Sequence, residues 1–359
     1  MRVSISRRRL LSHTAAGLSA MAFGGIAAAQ SAFPAKAKPA AAIDEHSVTA
    51  PASIEVKSRP IPVFDPRDRS RVRFGALEYR SGLVLTSSFP GFGGLSAIRL
   101  DPRGERFIAL SDKGSWFTGR IVYSGRAMVG LDEVEAAPML AEDGRPITAR
   151  GWYDSESLAL DGSVAYVGLE RVNQVLRFDF AKGFTRARCE VVPMPAAVKR
   201  LPNNKGLEGL VFVPRDKGLP LAGTLIALSE RGLDAGGNLI AFLVGGPTPG
   251  QFSLRRTDDF DVSDAVLLPS GDLLVLERKF SWLEGVRIRI RKVPLKSIAP
   301  GALVDGPSIF HADLGEEIDN MEGLDAHVTD TGETVLTMIS DDNFSMLQRT
   351  LLLQFTLVE

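Results

Sequence analysis

The sequence predicts an all-β fold, a single β-propeller of four-stranded blades. Repeat count gives five blades, with six as the alternative, and strands from the two ends of the domain close the ring. Three observations lead there. A hairpin unit recurs with a period of roughly 50–60 residues, which marks a repeat architecture. Each interval holds about four strand-like runs, the usual content of one propeller blade. Each unit also carries acidic residues at the same two places, so the repeat extends to polar positions as well as apolar ones.

The clearest copy is Glu156-Ser157-Leu158-Ala159-Leu160-Asp161-Gly162-Ser163-Val164-Ala165-Tyr166-Val167-Gly168-Leu169-Glu170-Arg171. Alternating leucines form the first strand, Asp161-Gly162 is a two-residue turn signal, and a β-branched and aromatic run forms the second. The other copies turn at Asp101-Pro102-Arg103-Gly104, at a longer loop after Leu210, at Pro269-Ser270-Gly271-Asp272 and at Thr329-Asp330-Thr331-Gly332. An acid opens the first strand at Glu156, Glu208, Asp264 and Glu322, with Ser96 as the exception. A second acid column falls at Asp112, Glu170, Glu230, Glu277 and Asp341, followed by a base in every copy but the last. In an antiparallel hairpin these two ends lie side by side, so both columns are expected on one rim of the propeller.

Residues 1–29 read as an export address. Ser6-Arg7-Arg8-Arg9-Leu10-Leu11 resembles the twin-arginine signal, and a mildly apolar run rich in Ala and Gly leads to Ala27-Ala28-Ala29, a small-residue cleavage site. The expected location is periplasmic or secreted, with no stable membrane insertion after cleavage. Residues 30–59 are rich in Ala, Pro and Lys and are expected to be a disordered spacer. The propeller domain spans residues 60–359, and its ring is expected to close through strands from residues about 72–88. Phe89-Pro90-Gly91-Phe92-Gly93-Gly94 lacks the Lys and Ser/Thr of a phosphate-binding loop.

Composition excludes several classes. A formal net charge of -1 gives no reason to expect a nucleic-acid partner. The single cysteine, Cys189, forms no intrachain disulfide and reads as a buried apolar residue. No G-x-S-x-G elbow and no H-E-x-x-H occur, and residues 60–359 hold only His311 and His327, which argues against a histidine-rich zinc site. The tryptophans Trp116, Trp152 and Trp282 all fall beside the expected rim, where they either wall a pocket or pack under loops. The expected partner is a small anionic or ester molecule, and the expected oligomeric state is a monomer.

Carboxylates converging on a narrow axis repel each other by ~4 kcal/mol per pair at 4 Å and an effective dielectric of 20. Adjacent bases relieve this if the second column is a ring of salt bridges. A cation relieves it if the columns form a site, and calcium takes the oxygen ligands that Asp, Glu and Asn offer. The first column has no adjacent base and is the better ligand candidate. The last blade, ending in Asp341-Asp342-Asn343, departs most from the acid–base rule.

Several of these motifs resemble a known family. Asp112-Lys113-Gly114, Glu156-Ser157-Leu158-Ala159, Asn204-Lys205-Gly206-Leu207-Glu208-Gly209, Leu276-Glu277-Arg278, Asn320-Met321-Glu322-Gly323 and Ser340-Asp341-Asp342-Asn343-Phe344 are similar to the bacterial "esterase-like activity of phytase" family, over about residues 70–357. The resemblance implies an exported propeller with phytase-like or esterase activity. Propeller phytases and propeller lactonases use calcium, and by analogy this chain is expected to be a calcium-dependent hydrolase of phosphate or carboxylic esters. The alternative is a non-catalytic binding propeller of the cell envelope. The candidate metal ligands are Glu156, Glu208, Asp264, Glu322 and Asp341. Lys113, Arg171, Arg231 and Arg278 are candidates for holding an anionic substrate. Asp342 is expected to orient or deprotonate the attacking water, with Asp341 and Glu322 as the other catalytic candidates.

Overall fold

Five antiparallel sheets are arranged as a five-bladed propeller in a computed structural model that describes residues 44–358. The leader expected over residues 1–29 and the first part of the 30–59 spacer lie outside the described residues. The end of that spacer departs from expectation. Ala52–Ser53 pairs along the outer edge of the first sheet, and Lys57–Ile61 pairs with Leu77–Thr86 at the outer edge of the fifth. An edge strand is held by backbone hydrogen bonds, so it needs no apolar period of its own, and it covers groups that would otherwise invite pairing with another chain.

The first four blades follow chain order from the axis outward, except that Leu303–Val304, reached after three strands of the fourth blade, pairs in parallel on the outer edge of the third. Their innermost strands are Leu95–Leu100, Ser155–Asp161, Leu207–Phe212 and Asp261–Leu267, and each pairs outward with the next strand in sequence. The fifth blade combines Asn320–Val328, Thr334–Asp341 and Thr350–Leu357 with Leu77–Thr86 from the start of the domain. Leu77 sits opposite Leu357 and Leu85 opposite Thr350, so the ring closes through residues about 72–88 as expected. The inner strands pack on one another around the axis, with the fifth returning to the first.

The blades are held apart by apolar layers. Between the fourth and fifth sheets, Leu276, Ile288, Ile290 and Phe310 meet Leu324, Met338, Leu351 and Phe355. Phe64 fills the outer end of this layer, with its ring edge-on to Phe74 at 4.8 Å and to Phe355 at 5.0 Å. Burying each such side chain stabilises by about 1.5–3 kcal/mol. Trp116 is fully buried against Phe178 and Phe180, so it belongs to this kind of layer and forms no pocket wall.

Every inner strand carries a bulge at the same place. The pairing register shifts across Ser96, Glu156, Glu208, Ser263 and Glu322, so each of these residues is extruded from its ladder. A bulge re-aims one side chain and bends the strand. The residue that follows is small in four blades: Ala97, Ser157, Gly209 and Gly323. A Cβ on Gly323 would stand 3.0 Å from the Ile98 backbone nitrogen, which shows how closely the inner strands approach. In the fourth blade the equivalent residue is Asp264.

Candidate functional site

Three of the five bulges place their extruded side chain at one mouth of the channel, where a bowl of about 540 Å³ opens. Glu156, Glu208 and Glu322 enter it from the bulges of the second, third and fifth blades. Asp112, Glu170, Glu230 and Asp341 enter it from the ends of the second strands. The cations on its lining are Lys205 and Arg278. The two acid columns therefore converge, with the fourth blade as the exception.

That exception corrects the sequence reading by one residue. Ser263 takes the bulge position and Arg278 takes the second-column position, because Val262 pairs with Glu277 where Met321 pairs with Ser340. Asp264 lies deeper and is fully buried in a bidentate pair with Arg99, at 2.8 and 2.9 Å. The Arg99 guanidinium also donates to the carbonyls of Ile98, Leu324, Leu210 and Ala265. Asp264 further accepts from the Leu324 and Ala265 backbone nitrogens. This unit crosses the channel below the bowl. Asp264 has no lone pair left for a metal, so it leaves the ligand set.

Glu277 also leaves the rim. It is fully buried and accepts from Arg289 and Arg291 at 2.6 Å each. Apart from Asp112 and Lys113, the acid–base neighbours did not pair as their adjacency suggested, because successive side chains on a strand point to opposite faces. Arg171 is exposed, stacks over Tyr153 and reaches Asp154 at 3.9 Å, so it does not partner Glu170. Arg231 is committed to Asp261. Lys113 keeps its neighbour, contacting Asp112 and Asp44 at 3.4 Å each. Of the four bases proposed for substrate, Arg278 alone lines the bowl.

The pairing of Glu322 and Glu170 is thereby reversed. Glu322 meets Arg278 at 3.0 Å and accepts from Asn320 at 2.9 Å. Glu170 accepts from the Gly206 nitrogen at 3.0 Å and faces other carboxylates. One oxygen from each of Glu170, Glu208 and Glu230 can be chosen so that all three lie within 4.8 Å of one another. Lys205, which the sequence reading did not select, holds both Glu230 oxygens at 2.8 and 2.9 Å. Its signal was present in Asn204-Lys205-Gly206, immediately before the third bulge.

Electrostatics follow from this crowding. Burial, then the neighbouring Glu230, raises the Glu170 carboxyl to about 7. Burial, then Asp112 and Glu322, holds Glu156 well above the usual carboxylate range. Burial, then Glu156 and Glu170, does the same for Glu208. Asp341 is pushed up by burial and then by Glu322. Asp342 stands apart. Its Oδ1 accepts from the Gly94 and Phe344 nitrogens at 3.0 Å each, and its Oδ2 accepts from the Thr350 hydroxyl at 2.9 Å. Asp342 thus fastens the last blade's loop to the glycine-rich loop and is not on the bowl's lining. A Cβ on Gly94 would meet Asp112 Oδ1 at 2.4 Å, which explains glycine at that contact.

Fold and site define a propeller with an acidic mouth that carries more negative charge than its own bases balance. The chain belongs to the Phytase-like family, described as esterase-like activity of phytase, whose model matches residues 90–344. No curated protein matches the chain. Among solved structures it is similar to the Myxococcus xanthus glutaminyl cyclase, at 10% identity and a TM-score of 0.38, over 74% of this chain and 92% of that one. It is also similar to U3-55K, at 10% identity and a TM-score of 0.36, over 73% of this chain and 95% of that one. The family and the fold support a hydrolase-type function.

Proposed function

We propose that the protein is a calcium-dependent hydrolase of phosphate or carboxylic esters, with its site in the acidic bowl. The observation that carries this reading is the Glu170, Glu208 and Glu230 cluster, whose oxygens approach within 4.8 Å while its two basic neighbours, Lys205 and Arg278, both contact Glu230. The fit to calcium rests on the donor set. It consists of carboxylate oxygens, with the amides of Asn204 and Asn320 on the same wall and no His or Cys on the bowl's lining. Hard oxygen donors of this kind suit calcium better than zinc. Glu170, Glu208 and Glu230 would hold the ion, with Glu156 beside them. Bound there, calcium would polarise the ester oxygen and acidify a water.

The chain's own groups supply the rest. Arg278 and Lys205 orient a phosphate or carboxylate by charge-assisted hydrogen bonds. Asp341 lies in the bowl with a raised affinity for protons, as a proton shuttle requires. Water oxygen bonds to phosphorus or the acyl carbon, and the ester bond to the alcohol oxygen breaks. The water proton passes through Asp341 to that alcohol oxygen.

Export through a twin-arginine signal forms part of the same proposal and rests on Arg7 and Arg8. The alternative reading, a non-catalytic ligand- or partner-binding propeller of the cell envelope, draws on the Arg99–Asp264 unit that crosses the axis. The test is metal-free protein assayed with 4-nitrophenyl acetate and 4-nitrophenyl phosphate, with and without calcium. Calcium-dependent turnover supports the hydrolase. Calcium binding without turnover of any ester supports the binder.

A further inference from the structure

Among the described residues, the large apolar side chains most exposed to solvent are Met346, Leu283, Leu347, Trp282, Leu314 and Phe280, at 103, 98, 94, 94, 59 and 57%. They come from three separate stretches of chain and gather beside the acidic bowl. Phe280, Leu314 and Leu347 line the same cavity as the carboxylates. Trp282 packs edge-on to Phe280 at 5.4 Å, at the tip of the hairpin joining Asp272–Ser281 to Gly285–Pro294. Leu314 lies against that tip, close enough that a Cβ on Gly285 would strike it. The remaining exposed apolar residues are aliphatic and less exposed. Contiguous apolar surface of this kind marks a place where something apolar binds.

From this geometry we infer that the substrate is an amphipathic ester. Its polar ester group enters the acidic bowl, and its alkyl or aryl chain lies on the wall formed by Phe280, Trp282, Leu314 and Leu347. The inference rests on the hydrolase reading and names its substrate class. Continuity argues for the substrate as the occupant, because Phe280, Leu314 and Leu347 line the same cavity as the carboxylates and Trp282 packs on Phe280. A polyol phosphate, polar over its whole surface, leaves such a wall without a partner, so it is disfavoured. The two sources of the ester, an acyl ester or an alkyl phosphate, share this chemistry and are separated by experiment.

Two homologous series serve, 4-nitrophenyl esters from acetate to octanoate and alkyl phosphates from methyl to octyl, each assayed with calcium. The series that is cleaved should show kcat/KM rising about two- to fourfold per methylene, as expected for partial to full burial of each group. In the Trp282→Ser/Leu347→Ser double variant that rise should flatten, while Trp282→Phe should keep it. Both positions are solvent-exposed, so the fold is retained, and melting temperature checks this. A flat wild-type series with short esters still cleaved, or an unchanged slope in the double variant, overturns the inference and leaves the hydrolase standing. No cleavage in either series overturns both. Co-sedimentation with phosphatidylcholine vesicles, or dimerisation abolished by the double variant, assigns the wall to a membrane or a second copy and overturns the inference.

Discussion

The channel holds two sets of buried charge at different depths, and they are balanced in opposite ways. At the Arg99–Asp264 unit, two carboxylate oxygens meet two guanidinium nitrogens, and the hydrogen-bonding capacity left over goes to the backbone of the surrounding inner strands. In the bowl above it, Glu170, Glu208, Glu230, Glu156 and Asp341 crowd together, and three of these carboxyls are held well above their ordinary proton affinity. A buried charge with all its partners supplied by the chain is architecture. A group of buried charges that the chain leaves under-compensated is where an outside ion or substrate is expected. The acids are similar in type, so the difference lies in who supplies the counter-charge.

The largest effect should come from breaking the balanced unit. Arg99→Met leaves Asp264 buried and unpaired, and loss of about 3–5 kcal/mol is expected in urea unfolding. Restoring much of that loss by adding Asp264→Leu would show that the unpaired charge was the cause. A loss below about 1 kcal/mol would remove the distinction between the two layers.

Next is the bowl. Glu208→Gln should raise the melting temperature of metal-free protein, because it relieves repulsion, and should abolish the rise on adding calcium. For the wild type, that rise corresponds to about 2.7 kcal/mol when calcium is present at 100 times its dissociation constant. Calcium stabilising the variant as much as the wild type would place the ion elsewhere. Glu322 gives the contrast. Glu322→Gln takes the carboxylate away from Arg278, so it should destabilise metal-free protein by about 1–3 kcal/mol, against the stabilisation expected for Glu208→Gln.

A pH measurement sharpens the lower half of the comparison. Asp325 shares that level of the channel with Arg99 and accepts from the Leu100 nitrogen at 2.6 Å. Burial, opposed by Arg99, raises its carboxyl from 3.8 to about 6. Between those values the folded protein keeps a proton that the unfolded chain has released. Its contribution to stability is therefore complete below the lower value and is lost as pH rises through the upper one, at most about 1.4 kcal/mol per pH unit. Asp325→Asn should flatten the stability profile in that window, and an unaltered slope would assign the pH dependence to another group. The smallest effect is expected at Arg171→Ala, within about 0.5 kcal/mol, because its contact with Asp154 is exposed and long.

The repeat was legible from sequence alone because its causes are local. Asp161-Gly162 and the glycines at 104, 271 and 332 turn the hairpins with left-handed backbones that suit glycine. Alternating apolar residues then assign each strand's faces, and spacing counts the blades. Glu156, Glu208 and Glu322 could be placed at the mouth because three copies agreed. Three things depended on tertiary structure. The bulge slipped the fourth blade by one residue, and since side chains alternate along a strand, one residue was enough to send Asp264 down the channel and bring Arg278 into the bowl. Partners were chosen in space, as Arg278 chose Glu322 of the next blade and Lys205 chose Glu230 on the adjacent strand of its own, while the sequence neighbours Glu170 and Arg171 pointed apart. The apolar wall, too, exists only where the 280–283 hairpin, Leu314 and the 346–347 loop meet in space. Sequence determined which side chains the ring carries and roughly where. Charge balance is set by distances between chain segments far apart in sequence, and only the closed ring brings those segments together.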